Sequence, residues 1–288
     1  MRSADEQQKR LENEATANLV RQRDRDRYWS ALFAPPPERA GLLALYAFNA
    51  ELEHIAASAH EPMVAQIRLQ WWRDAIDLAA PGTKTGNPVA DALSAAILEI
   101  DLPKQRLIEL ADARVPEIFG DQPADIQGLR ASCHDTYGVV FELAALILGG
   151  AGEPTAKAAG HAGLAYGLTH VLRTLPLQAS RRKLLLPPSY FEGRGINLAA
   201  VYQGKSNAAF RAALSDLRGA ANRALQQFRT LSPQLDAAVW PAFLPLSVVK
   251  PYLKAMAAPS FDPLHTIAMA NPARQFWRMW RAARRRSL

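Results

Sequence analysis

Cysteine is almost missing from this sequence of 288 residues, since Cys133 stands alone. One thiol excludes an internal disulfide, fits a reducing compartment and, with no motif around it, reads as buried filler. Long apolar runs are missing too: the longest, GVVFELAALILGGA from Gly138, is broken by Glu142 and falls short of the ~18 residues that a spanning helix needs. Any membrane contact is therefore expected to be peripheral. The first twenty residues have no apolar core and mix acids with bases, which argues against a secretory signal and against an Arg-rich, acid-poor transit peptide. The expectation is a bacterial, cytoplasmic chain. Strand-like alternation, internal repeats and low-complexity tracts are also absent, which removes sheet and solenoid architectures. What remains is an all-α chain, and with 49% hydrophobic residues it can bury a sizeable core.

Acids are unevenly spread. Between Glu153 and Glu192 there is no Asp or Glu, although Lys157, Arg173, Arg181, Arg182 and Lys183 lie in that window. The C-terminal NPARQFWRMWRAARRRSL has no acid either, and interleaves six arginines with Phe276, Trp277 and Trp280. With a formal net charge of +7, an anionic partner is expected. Nucleic acid is disfavoured, because no zinc-ligand set, RNA-recognition signature or helix-turn-helix pattern accompanies the charge. His161 and His170 are wrongly spaced for one helical face and have no carboxylate or thiol beside them, so no metal site is expected there.

The chain is organised around GLAYGLTHVLRTLPLQASRRKLLLP, Gly163 to Pro187. Leu164, Leu168, Val171, Leu172 and Leu175 space it as a buried helix, Pro176 is expected to interrupt or kink it, and the segment then turns basic. Gly163, Leu164, Ala165, Leu168, Thr169, Leu172, Arg173 and Pro187 resemble the second signature of the squalene/phytoene synthase family. YAFNAELEHIAAS, from Tyr46, resembles that family's first signature. The YAFN-x-EL, RLQWW and SRRK-x-x-LP stretches are most similar to a degenerate branch, that of the mitochondrial complex I assembly factor and its bacterial relatives.

The resemblance implies a helical bundle around a central cavity, with residues 1–22 as a helical or flexible N-terminal extension and 23–288 as the synthase-like domain. It also locates a deficit. Where the family carries metal-binding aspartates this chain has Thr174 and Gln178, and in the first signature only Glu53 keeps an acid, with His54 and Ala57 at the other positions. Magnesium ions holding a leaving diphosphate need hard, mostly anionic oxygen ligands, which a threonine hydroxyl and a glutamine amide do not supply. No cofactor is expected, and Mg²⁺ enters only if the chain is an enzyme. Candidate ligand-binding residues by resemblance are Tyr46, Asn49, Glu53, Tyr137, His170, Arg173, Arg181, Arg182 and Lys183. For the last three the alternative is a solvated basic loop, and for Glu51 and Glu53 a solvated helix face.

The resemblance thus implies a non-catalytic protein that supports respiratory complex I assembly at the inner membrane, with a membrane subunit or assembly intermediate as partner. A prenyl transferase acting on prenyl diphosphates and a binder of an apolar phosphorylated lipid are the alternatives. Three further expectations are structural. Helices should run over about 39–58, 63–79 and 207–230, with Ile67, Trp71 and Ile76 turned inward on the second of these and Trp72 as a further candidate. Asp74 and Asp77 should be surface charges. In the tail, Trp277, Trp280, Arg284, Arg285 and Arg286 are expected to meet an anionic membrane, unless the aromatics pack into the bundle and the arginines are merely solvated.

Overall fold

A computed structural model describes residues 2–58 and 61–288, and no strand occurs among them. Helices α1 (Arg2–Arg23), α2 (Arg25–Ala31) and α3 (Pro36–Ala57) open the chain, and α4 (Pro62–Asp77), α5 (Pro88–Ile100), α6 (Lys104–Asp112) and α7 (Val115–Phe119) follow. Next come α8 (Ile126–Cys133), a π-helical turn at His134–Gly138 and α9 (Val139–Ile147) in one continuous run, then α10 (Glu153–Arg173) and α11 (Leu175–Ser180). The C-terminal part holds α12 (Leu198–Tyr202), α13 (Ala208–Leu231), α14 (Trp240–Phe243), α15 (Val249–Met256) and α16 (Pro272–Arg285).

Local chemistry sets most of these boundaries. Pro36 and Pro37 open α3 with Glu38 in its first turn, where a missing amide costs nothing and a negative charge suits the exposed N–H groups. Asn87, Asp125 and Asn207 cap α5, α8 and α13 through side-chain oxygens that accept from amides two or three residues ahead. Pro176 does end the organising helix, but three residues before itself: α10 stops at Arg173 and Pro176 falls in the first turn of α11. A proline has no amide to offer Leu172, so the break is placed where Thr174 can close the turn, its hydroxyl donating to His170 O at 2.9 Å.

Helix α10 lies at the centre, packed along α13, α9, α15 and the π turn, while α3 packs on α1, α5 and α9. Two glycines allow the closest of these approaches. A Cβ on Gly163 would sit 2.4 Å from Gly138 Cα, and one on Gly167 would sit 2.8 Å from the Tyr137 ring. The π turn thus lies directly on α10 and holds Tyr137 over it. On α13, Phe210, Leu214, Leu217, Leu225 and Phe228 are all buried, as their spacing predicts.

Helix α4 is a correction. Its buried positions are Ala65, Leu69, Trp72 and Ile76, whereas Ile67 is 64% and Trp71 40% exposed. Apolar residues stand on both sides of this helix, so periodicity alone did not fix which side faces inward. Asp74 and Asp77 are exposed as expected. Cys133 is buried, and burial pushes its thiol up to about 12, in keeping with an inert core residue.

Candidate functional site

Between α3, the turn before α7, the π turn and the α10–α11 break lies a chamber of about 300 Å³. Helix α3 supplies Glu53 and His54, the π turn supplies Tyr137, and α10 and α11 supply His170, Thr174 and Gln178. At its base is Arg114, 1% exposed. Its guanidinium donates to Glu53 Oε1 at 3.1 Å, Asn49 Oδ1 at 3.3 Å and Glu117 Oε1 at 2.9 Å, and lies 5.4 Å from the centre of the Tyr137 ring. Asn49 in turn donates to Glu53 Oε1 at 3.2 Å. Glu53 is therefore no solvated surface acid. Burial alone would raise its carboxyl, but Arg114, His170 and Arg27 outweigh burial and hold it below the usual carboxylate range. The ring of His170 lies 5.4 Å from that of Tyr137, and burial keeps it below the ordinary imidazole range against the opposing pull of Glu53.

A second chamber of about 350 Å³ adjoins the first and shares Arg23, Glu53, His170 and Thr174 with it. In its wall, Asp24 accepts from the buried Arg27 at 2.8 Å, and the Arg27 guanidinium lies over Tyr46 and Tyr166 at 5.7 and 4.9 Å. Tyr46 thus supports the wall from beneath. Burial, reinforced by the neighbouring Asp24, raises the Asp26 carboxyl to about 6, and it accepts from Tyr252 Oη at 3.1 Å. Arg173 donates to Ala268 O at 3.1 Å and lies 3.7 Å over the Tyr252 ring, which fastens the segment after α15 to the mouth.

The three basic residues after α11 part company. Arg181 is exposed and faces the first chamber, Arg182 adopts a left-handed conformation (φ 56°) over the Tyr202 ring, and Lys183 donates to Ile118 O at 2.8 Å while also lining the first chamber. The basic run is neither a shared anion clamp nor a wholly solvated loop. Arg114, Glu117, Arg23 and Arg27 were not among the candidates read from sequence. The one available hint was the spacing of Arg114 and Glu117 across a helix start, which pairs their side chains.

This all-helical bundle matches the fold of solved squalene and dehydrosqualene synthases. The chain superposes on a dehydrosqualene synthase solved with ligand (TM-score 0.78, 13% identity, 97% of this chain and 99% of that one) and on a squalene synthase from Alicyclobacillus acidocaldarius (TM-score 0.74, 18% identity, 86% and 94%). Residues 20–281 match the squalene/phytoene synthase family, to which the chain belongs. Among curated relatives it is similar to the NADH dehydrogenase (ubiquinone) complex I assembly factor 6 of Bos taurus, with 28% identity over 247 residues, covering 86% of this chain and 74% of the relative.

The magnesium cluster that the synthase resemblance implies does not fit this chamber. Gln178 donates to Val171 O and Thr174 Oγ1, each at 2.8 Å, and accepts from the Leu185 amide at 2.9 Å. Thr174 spends its hydroxyl proton on His170 O. The two carboxylates that line it, Glu53 and Glu117, are both bonded to one buried guanidinium, so neither is an unpartnered ligand for a divalent ion. Among the described residues no group of three His, Cys, Asp or Glu is disposed to hold a metal, and no helix is long and apolar enough to cross a membrane.

Proposed function

We propose that this protein is a non-catalytic member of its family which supports assembly of respiratory complex I at the inner membrane, working through a membrane subunit or an assembly intermediate. Residues 23–288 act as one synthase-like domain and 1–22 as its extension. The observation that carries the non-catalytic half is Arg114. With its guanidinium bound to both chamber carboxylates, no free acid pair is left to take up magnesium and pull on a departing diphosphate. The likeness to complex I assembly factor 6 supports the other half.

The chamber itself favours a second reading. It persists at about 300 Å³, with Ala50, Ala56, Leu177 and Leu185 among its apolar lining and Arg23 and Arg181 among its cations, which suits an apolar ligand bearing an anionic head. Deletion of the gene separates the readings from catalysis. The expected result is lowered complex I activity with carotenoid, hopanoid and sterol-type products unchanged. The opposite pattern, joined by diphosphate release from farnesyl or geranylgeranyl diphosphate by the purified protein, would establish a prenyl transferase instead.

A further inference from the structure

Helix α16 is docked on the bundle along one side, where Phe276 packs edge-on to Trp29 and stacks on Phe33. Gln275, Met279 and Ala282 are buried, and Gln275 donates to Tyr252 Oη at the second chamber. The other side is built differently. Trp277 is 54% and Trp280 41% exposed, and the guanidinium groups of Arg281 and Arg284 lie 4.9 and 5.0 Å from their respective ring centres. Arg274 is exposed one turn before Trp277. Positions 274, 277, 280, 281 and 284 fall on one helical face, so this face is indole flanked by cations, without an acid between Pro263 and the last residue.

The same surface continues to the cleft. Just before α16, Ile267 and Met269 are 40% and 79% exposed and form part of the second chamber's rim, held there by the Arg173 contact to Ala268 O. Arg25, exposed and lining the same chamber, adds another cation. An aqueous surface gains nothing from two open indoles and a protruding methionine. The headgroup zone of a bilayer favours each of them, since indole settles at the interface, methionine reaches below it and arginine pairs with lipid phosphate.

We propose that α16 and the 267–269 rim form one contact surface for an anionic lipid membrane, and that contact turns the mouth of the second chamber towards the lipid. This deepens the membrane part of the function proposed above, and its test involves no complex I, so either can fail alone. Of the residues read from sequence, Trp277, Trp280 and Arg284 lie on the surface. Arg286 closes the helix in a left-handed conformation (φ 48°) and borders the crevice of Phe33 and Glu38, while Arg274 and Arg281 join the contact face.

The test uses the full chain with phosphatidylglycerol or phosphatidylcholine vesicles. Co-sedimentation with phosphatidylglycerol at low salt is expected, with loss at high salt. Because basic residues at an anionic surface act nearly additively, Arg274→Ser, Arg281→Ser and Arg284→Ser together should weaken partitioning on the order of a hundredfold. Trp277→Ser with Trp280→Ser should abolish the blue shift of tryptophan emission on binding. All five side chains are exposed, so the fold is retained, which an unchanged melting curve verifies. Orientation is read separately from Met269→Cys carrying an environment-sensitive dye, since buried Cys133 does not compete for the label. Equal binding to neutral vesicles, binding to neither, or indifference to the arginine substitutions overturns the lipid surface. A dye at position 269 that stays in water while the protein is bound overturns the orientation.

Discussion

Replacing Arg114 by methionine keeps most of its volume and removes the charge on which the first chamber depends. Glu53 and Glu117, with side chains 25% and 21% exposed, then lose their shared partner, and Asn49 loses a donor. Stripping one partner from a buried ion pair costs about 3–5 kcal/mol, because the group left behind keeps its desolvation penalty without the attraction that offset it. For a chain of this size that is a fall in melting temperature of about 5–8 °C. The pH dependence carries more information. In the native protein the Glu53 carboxyl titrates below its unfolded value, so its contribution is complete above the unfolded pKa and is lost as pH falls through the folded one. Without Arg114, burial pushes the same carboxyl upward, the folded state binds the proton more tightly than the unfolded chain, and stability rises as pH falls from 7 towards 5. Thermal melts of both proteins across that range decide the matter. A loss below 1 kcal/mol, or a variant whose stability varies with pH between 7 and 5 no differently from that of the native protein, would refute the claim that Arg114 holds both chamber carboxylates.

Two further substitutions probe the neighbouring supports. Gln178→Asp, which restores an acid at a former metal position, should destabilise the fold by about 1–3 kcal/mol for each of Val171 O and the Leu185 amide left unpaired, a loss that added Mg²⁺ does not reverse; an unchanged urea midpoint would sink that reading. Gly163→Ala brings a methyl group to 2.4 Å from the Gly138 backbone and should cost at least about 1–3 kcal/mol by forcing α10 off the π turn, whereas an unaltered melting temperature would mean that the contact is slack.

The fold was legible because α13 carries a clean apolar period and because loops announce themselves through proline and glycine. The site was legible in part. Glu53, Tyr137, His170, Thr174 and Gln178 line the first chamber as a linear resemblance placed them, and the displaced acids were visible directly as Thr174 and Gln178. Arg114 was not, since a basic residue at the end of a short polar helix looks like a surface charge until the fold carries it 65 positions back to Asn49. Helix α4 misled for another reason. Ala65, Leu69, Trp72 and Ile76 make one apolar stripe, Met63, Ile67 and Trp71 make another, and only the neighbours α3, α5, α6 and α7 choose between them. In segment 181–183 the sequence did not show that Arg181 and Lys183 line the chamber while Arg182, left-handed, turns to the Tyr202 ring.

The bonding of Gln178 and Arg114 also bears on how a metal site could be reached. Each is a structural member, one bridging the α10–α11 break to Leu185, the other joining α3 to the start of α7. In a fold bonded in this way, any single substitution of either side chain towards an acid cluster weakens the scaffold before it supplies a ligand, so a metal site is reached only by several changes made together.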